Sequence, residues 1–168
     1  TARWLSLPDY ILWRLTGEQA TDYSIASRTF LFDQRRLDWS DELLTAAGLV
    51  RAQMPPAFPG GTLVGGLLPE AARLTGLSDG IPCVLGGHDH LCAALAAGAG
   101  QPGTVVDSMG TAEALVMVLP GFVTGGAYSE RSFACYAHVV RDQYVLKGGL
   151  STAGMALEWA ARRLGGCQ

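Results

Sequence analysis

The sequence predicts an α/β fold, but a partial one: the end of one α/β unit joined to the start of another. Three observations carry that expectation. Helices and isolated short strands fill residues 1–100, hairpin strands follow, and a helix closes the chain. A stretch of Gly, Ala, Gln and Pro between Gly98 and Gly103 places the joint there, giving units 1–100 and 101–168. Neither unit has enough strands of its own to cover its sheet edges.

The elements follow in order. Ser6 caps a helix over residues 6–17, with Pro8 early and Gly17 as its stop. Tyr10, Ile11, Trp13 and Leu15 give that helix an apolar face. The polar stretch from Thr21 to Asp33 ends in Thr29-Phe30-Leu31-Phe32, expected as one extended segment. Ser40 caps a second helix that runs through Ala47 to Gly48. Residues 51–62 form a loop rich in proline and glycine, with a short strand near 63–67 and a helix opened by Pro69 and closed by Gly76. Leu-Thr-Gly recurs at 15–17 and 74–76, both times at a helix end, which is coincidence and not a repeat. Residues 82–86 predict a buried strand, and 89–99 a helix. Residues 104–109 and 114–119 pair around Gly110-Thr111, and 133–140 pairs with 144–147 around Arg141-Asp142-Gln143. A helix over 151–164 ends the pattern.

Composition bounds the function. Hydrophobic residues make up 49% of the 168 and charged residues 16%, the latter below the usual quarter or so and unlike a disordered chain. Net charge is −3, and Arg35-Arg36 and Arg162-Arg163 are the only basic pairs, so neither nucleic acid nor an anionic membrane is an expected partner. No apolar run reaches the roughly 18 to 20 residues of a membrane span. The four cysteines, 83, 92, 135 and 167, form no CxxC pair. They are expected as reduced thiols in a cytoplasmic protein, with Cys167 exposed. The chain opens on Thr1 with no basic-then-apolar leader. Its missing methionine fits either processing or a piece of a longer polypeptide.

Three places hold chemistry. In Leu85-Gly86-Gly87-His88-Asp89-His90 an apolar strand runs into two glycines and then a carboxylate at a helix start. The glycines admit close approach of a ligand, and helix N–H groups hold the carboxylate ionised, as a general base requires. Plain N-capping by Asp89 is the bland alternative. Zinc bound by His88, Asp89 and His90 is a competing site, but i, i+2 spacing does not put two ligands on one helix face. Next, Asp107-Ser108-Met109-Gly110-Thr111 sets consecutive N–H groups and a hydroxyl in one turn, a geometry suited to phosphate oxygens or an unliganded hairpin. Last, Gly148-Gly149-Leu150-Ser151-Thr152-Ala153-Gly154 precedes a helix, where anions bind. There is no Walker, Rossmann, Gly-x-Ser-x-Gly, HExxH or EF-hand motif.

Taken together and in order, these residues resemble the FGGY family of carbohydrate kinases. Residues 9–17 are similar to the family's helix ending in Leu-Thr-Gly, and Thr21-Asp22-Tyr23-Ser24-Ile25-Ala26-Ser27 to its TDYSxAS stretch. Trp39 with Leu43-Leu44 is similar to the tryptophan-containing helix that follows. Gly86-Gly87-His88-Asp89, Ser108-Met109-Gly110-Thr111 and Gly148 through Gly154 with Trp159 resemble the family's later glycine motifs. The resemblance covers essentially the whole chain. It implies two actin-like ATPase (ribonuclease H-like) domains, of which residues 1–100 would close the first and 101–168 open the second. It also implies transfer of the γ-phosphoryl of ATP to a hydroxyl of a sugar or polyol. Asp89 would be the base, His88 and His90 would contact substrate, and Gly110, Thr111, Gly148 and Gly149 would meet the nucleotide. Mg²⁺ would be reached from Asp89 through water. His88 and His90 stand where many relatives carry small or amide residues, so the resemblance does not name the sugar. The family's Asp-x-Gly-Thr phosphate loop and adenosine-binding part have no counterpart here, so the isolated segment is expected not to turn over ATP. The rival readings are a non-catalytic interaction module derived from this fold and a metal hydrolase built on His88, Asp89 and His90. Exposed sheet edges leave a homodimer open.

Overall fold

The computed structural model describes residues 2–164. The chain divides into two compact units: the first is residues 1–92 with 137–141, the second the remainder. Cys167 lies outside the described residues. Among the described residues, no helix is long and apolar enough to cross a membrane.

The first unit opens with α1 (Leu7–Thr16). Its start is a reciprocal cap. The Asp9 N–H donates to Ser6 Oγ at 3.4 Å, and the Ser6 N–H donates to Asp9 Oδ2 at 3.1 Å. It stops where Gly17 turns left-handed at φ +80° and donates its N–H to Trp13 O. The buried side differs from the expected one. Asp9 and Thr16 are buried, while Tyr10 and Ile11 are exposed. Both buried polar groups have local partners, Asp9 in the cap and Thr16 on the Leu12 carbonyl at 2.8 Å, so burial leaves neither unsatisfied.

Next come β1 (Thr21–Asp22) and α2 (Tyr23–Ala26), capped by the Asp22 carboxylate. β2 (Phe32–Asp33) and β3 (Asp38–Trp39) pair antiparallel with Phe32 opposite Trp39. The expected extended run over 29–32 is broken at Phe30, which sits at φ +62° and is exposed. The other three rings of this region form a core: Phe32 meets Trp39 edge-on at 5.5 Å and Tyr23 at 5.8 Å. Leu44 of α3 (Asp41–Ala46) joins them with Met54 and Ala26. Trp39 donates its indole N–H to the Pro55 carbonyl at 2.7 Å, which ties the following loop to the core. That loop carries a 3₁₀ turn at Arg51–Gln53 and β4 (Ala57–Phe58), which pairs parallel with β1. β5 (Leu63–Gly66) and β6 (Pro82–Val84) pair antiparallel, and α4 (Pro69–Thr75) lies between them in sequence. β6 was expected to be buried, but Pro82 and Val84 are exposed and only Leu85 beyond it is buried. β6 is half of a two-stranded ribbon with β5, and of its residues Cys83 packs against the Leu67, Ala71 and Ala72 cluster. α5 (Asp89–Ala96) follows, three residues shorter than expected.

The second unit is built on a four-stranded sheet in the order β7-β8-β10-β9, in which β8 pairs antiparallel with both β7 and β10. Its strands are β7 (Val105–Met109), β8 (Glu113–Leu119), β9 (Ala134–Ala137) and β10 (Tyr144–Leu150). A short helix, α6 (Gly126–Ser129), precedes β9. Ala114, Val116 and Val118 alternate inward on β8, the period-two pattern of a half-buried strand. α7 (Gly154–Leu164) closes the unit. It begins at Gly154, not at residue 151. Gly148 and Gly149 therefore lie inside β10, opposite Leu115 and Ala114, and not at a helix start.

Candidate functional site

Asp89 is the first residue of α5, and its side chain is 85% exposed. Its Oδ1 accepts the His90 N–H at 2.7 Å and lies 3.2 Å from His88 Nδ1. The two imidazoles meet edge to face, with centroids 5.7 Å apart. His88 is mostly covered and His90 is exposed. Sequence neighbours thus form one spatial cluster, with a solvent-facing carboxylate at its head.

The loop ahead of Asp89 is firmly held. The His88 N–H donates to Ser24 Oγ at 2.8 Å. The His88 carbonyl accepts from Leu91 and Cys92, the first turn of α5. Gly87 lies against Val139: a Cβ there would sit 2.2 Å from Val139 Cγ1 and 3.1 Å from Ser24 Oγ. Gly86 differs, because a Cβ there would meet nothing within 4 Å. Val139 belongs to the 137–141 segment of the same unit. The Ala137 N–H anchors that segment on Ser27 Oγ at 3.2 Å and Gln34 Oε1 at 3.3 Å.

Ser24 in turn is held by Asp22, whose Oδ1 accepts the Ser24 N–H at 2.8 Å and the Ser24 hydroxyl. Burial pushes the Asp22 carboxyl above its ordinary range. Hydrogen bonds from Ser24 and Ile25 oppose the rise, and the nearby Asp9 charge adds to it. Asp9 is also raised, chiefly by burial. Both line a cavity of about 200 Å³ with Leu85, Gly86 and Gly87. A larger cavity of about 290 Å³ between α1 and α4 contains none of the expected site residues.

In the second unit, Gly110 and Thr111 form the exposed β7–β8 turn. Their carbonyls accept the N–H groups of Gly154 and Ala153 at 2.9 Å, so the turn is fastened to the start of α7. A Cβ on Gly110 would come no nearer than 3.7 Å to another atom. At Gly149 it would lie 2.3 Å from the Glu113 carbonyl oxygen, and at Gly148 2.5 Å from the Phe133 ring. Packing across the sheet is a sufficient reason for glycine at 148 and 149.

Sequence reasoning missed the roles of Asp22, Ser24 and Val139. One available signal was the run Thr21, Asp22, Ser24 and Ser27, short polar residues that are all buried. Asp22 two places before Ser24 is an N-cap pattern. Val139 left no signal, because it reaches the loop from far along the chain.

Among the described residues, no group of three or more His, Cys, Asp and Glu side chains is arranged to hold a metal ion. The exposed Asp89 carboxylate is of the donor type that Mg²⁺ carried on a nucleotide takes, one or two carboxylates beside phosphate oxygens and water.

The model of the family described as "FGGY family of carbohydrate kinases, N-terminal domain" matches residues 1–96. Xylulose kinase of Escherichia coli (strain K12) is 34% identical over 157 residues, covering 94% of this chain and 32% of that protein. L-fuculokinase of Salmonella typhi is 41% identical over 127 residues, covering 76% of this chain and 26% of that one. The crystal structure of xylulose kinase from Rhodospirillum rubrum superposes with a TM-score of 0.88 at 30% identity, over 98% of this chain and 33% of that one. The chain spans about a third of the length of the curated relatives it matches.

Proposed function

The chain belongs to the FGGY family of carbohydrate kinases, and from that premise we propose that it carries the general base of an ATP-dependent sugar or polyol kinase. The observation that carries the proposal is Asp89: an exposed carboxylate at the start of α5, behind a two-glycine turn. In the proposed reaction the Asp89 carboxylate takes the proton of the acceptor hydroxyl. That oxygen forms a bond to the γ-phosphorus as the bond to the β,γ-bridging oxygen breaks, and ADP leaves. Asp89 would hold Mg²⁺ through water, and the ion would spread charge over the phosphate oxygens. His88 and His90 supply donors or acceptors for the other hydroxyls of the acceptor.

The second unit is proposed to supply nucleotide contacts. The exposed Gly110-Thr111 turn is the stronger candidate, because a Cβ at Gly110 would meet only an ordinary contact, beside a backbone fastened to α7. Gly148 and Gly149 are weaker, since packing already explains them. Residues 1–100 are proposed as the closing part of the family's N-terminal domain and 101–168 as the opening part of its C-terminal domain. Taken alone, the 168-residue chain is expected not to turn over ATP.

The test is a screen of ketoses, aldoses and polyols for ATP-dependent ADP release, using a full-length kinase that carries this segment. Phosphorylation of at least one acceptor, identified by mass, is expected. Full-length folded protein that phosphorylates no sugar or polyol would overturn the proposal.

A further inference from the structure

We propose that Ser24, held by Asp22, is a positioning residue for Asp89 and acts through the peptide of His88. The inference rests on the reading of Asp89 as the base. It adds a reason why the carboxylate, although exposed, starts from a fixed backbone position.

The geometry is a short buried relay. Ser24 and Asp22 are 1% and 4% exposed. A serine hydroxyl has one hydrogen, and that of Ser24 is donated to Asp22 Oδ1. A lone pair of Ser24 Oγ then receives the His88 N–H at 2.8 Å, across 64 positions of sequence. Asp22 is fixed at its own end by the Ser24 and Ile25 N–H groups and by the pairing of β1 with β4.

The next peptide, between His88 and Asp89, is gripped as well. The His88 carbonyl accepts the first two N–H groups of α5 beyond His90, at 2.9 and 3.0 Å. Ser24 therefore fixes one side of His88 while α5 fixes the other, and the two together set the backbone origin of Asp89. Gly87 and Val139 close the clamp, since no Cβ fits between them. Without the hydroxyl, the His88 N–H loses its acceptor, and the loop shifts to find another. A shift of about 1 Å at a reacting group can cost on the order of a hundredfold in rate.

The test uses a full-length kinase carrying this segment. Ser24→Ala is expected to lower kcat by about tenfold or more, with KM for ATP and acceptor within about threefold. Ser24→Thr, which keeps the hydroxyl, is expected to restore most of kcat. Hydrogen exchange at the His88 amide should quicken about tenfold in Ser24→Ala, while exchange at Val116 and Val145 stays at the parent rate. Where Ser24→Ala does not fold, Ser24→Cys keeps the volume with a weak acceptor, and the same loss of kcat is expected. Parent-level kcat in a folded Ser24→Ala or Ser24→Cys, beside an inactive Asp89→Asn, would overturn the positioning role and leave the base standing. Parent-level turnover in Asp89→Asn would instead remove the base itself.

Discussion

Two pairs of adjacent glycines, Gly86-Gly87 and Gly148-Gly149, look alike in sequence and differ in structure. In the first pair, one member faces open space and the other is wedged against Val139. In the second, both members are wedged, one against a ring and one against a backbone carbonyl across the sheet. A glycine with room for a side chain has no packing reason to be glycine, which points to approach by something else. A glycine without room needs no ligand to explain it. By that criterion Gly86 and Gly110 are the better markers of a site, and Gly149 is the clearest structural glycine.

Alanine at each of these glycines separates packing from ligand approach. Gly149→Ala carries the largest expected effect on stability, because a carbonyl in a paired strand cannot move aside as a side chain can. A loss of about 2–3 kcal/mol is expected in denaturant unfolding. Unchanged stability would show that packing does not require glycine there. Gly87→Ala should cost about 1–2 kcal/mol, since Val139 can change rotamer, and it should also lower kcat by moving the His88 peptide. Gly86→Ala should leave stability within about 0.5 kcal/mol and act on KM or kcat alone. A large stability loss at 86 with normal kinetics would reverse the comparison.

The buried carboxyls beneath Asp89 should respond to pH. The Asp22 and Asp9 carboxyls sit above their ordinary value in the folded state, chiefly through burial. Between the ordinary and raised values, the folded state binds more protons than the unfolded one. Stability therefore falls as pH rises through that window and levels off above it. Asp22→Asn keeps an acceptor oxygen for Ser24 and removes its share of that slope. Unfolding free energy followed from acid to neutral pH should flatten in the variant, and an unchanged slope would contradict the assignment to Asp22. The smallest effect is expected at Arg51, whose exposed pairs with Asp38 and Asp41 lie at 2.8 and 2.9 Å. Arg51→Ala should cost under about 1 kcal/mol, and less in high salt.

What was legible in the sequence follows from what is local. Ser6, Gly17, Ser40 and Gly76 marked helix ends because caps and left-handed stops depend on neighbouring residues. The β7–β8 hairpin was readable from two short runs joined by Gly110-Thr111, and Asp89 from its place behind two glycines. The left-handed Phe30, the exposed β6 and the buried polar side of α1 were not readable, because each is set by tertiary partners. The strand identity of Gly148 and Gly149 was hidden by the helix that follows five residues later. Ser24 stood in plain sight within the TDYSxAS stretch, yet its partner is 64 residues away. Nothing local to either residue announces that contact.

The proposed reaction depends above all on Asp89 acting as the base. The most direct test compares the single-turnover rate and ATP affinity of Asp89→Asn with the parent, in a full-length kinase carrying this segment. The predicted result is a rate lower by about a hundredfold or more with ATP affinity within about threefold. A near-parent rate would contradict the account and return Asp89 to the role of a helix cap.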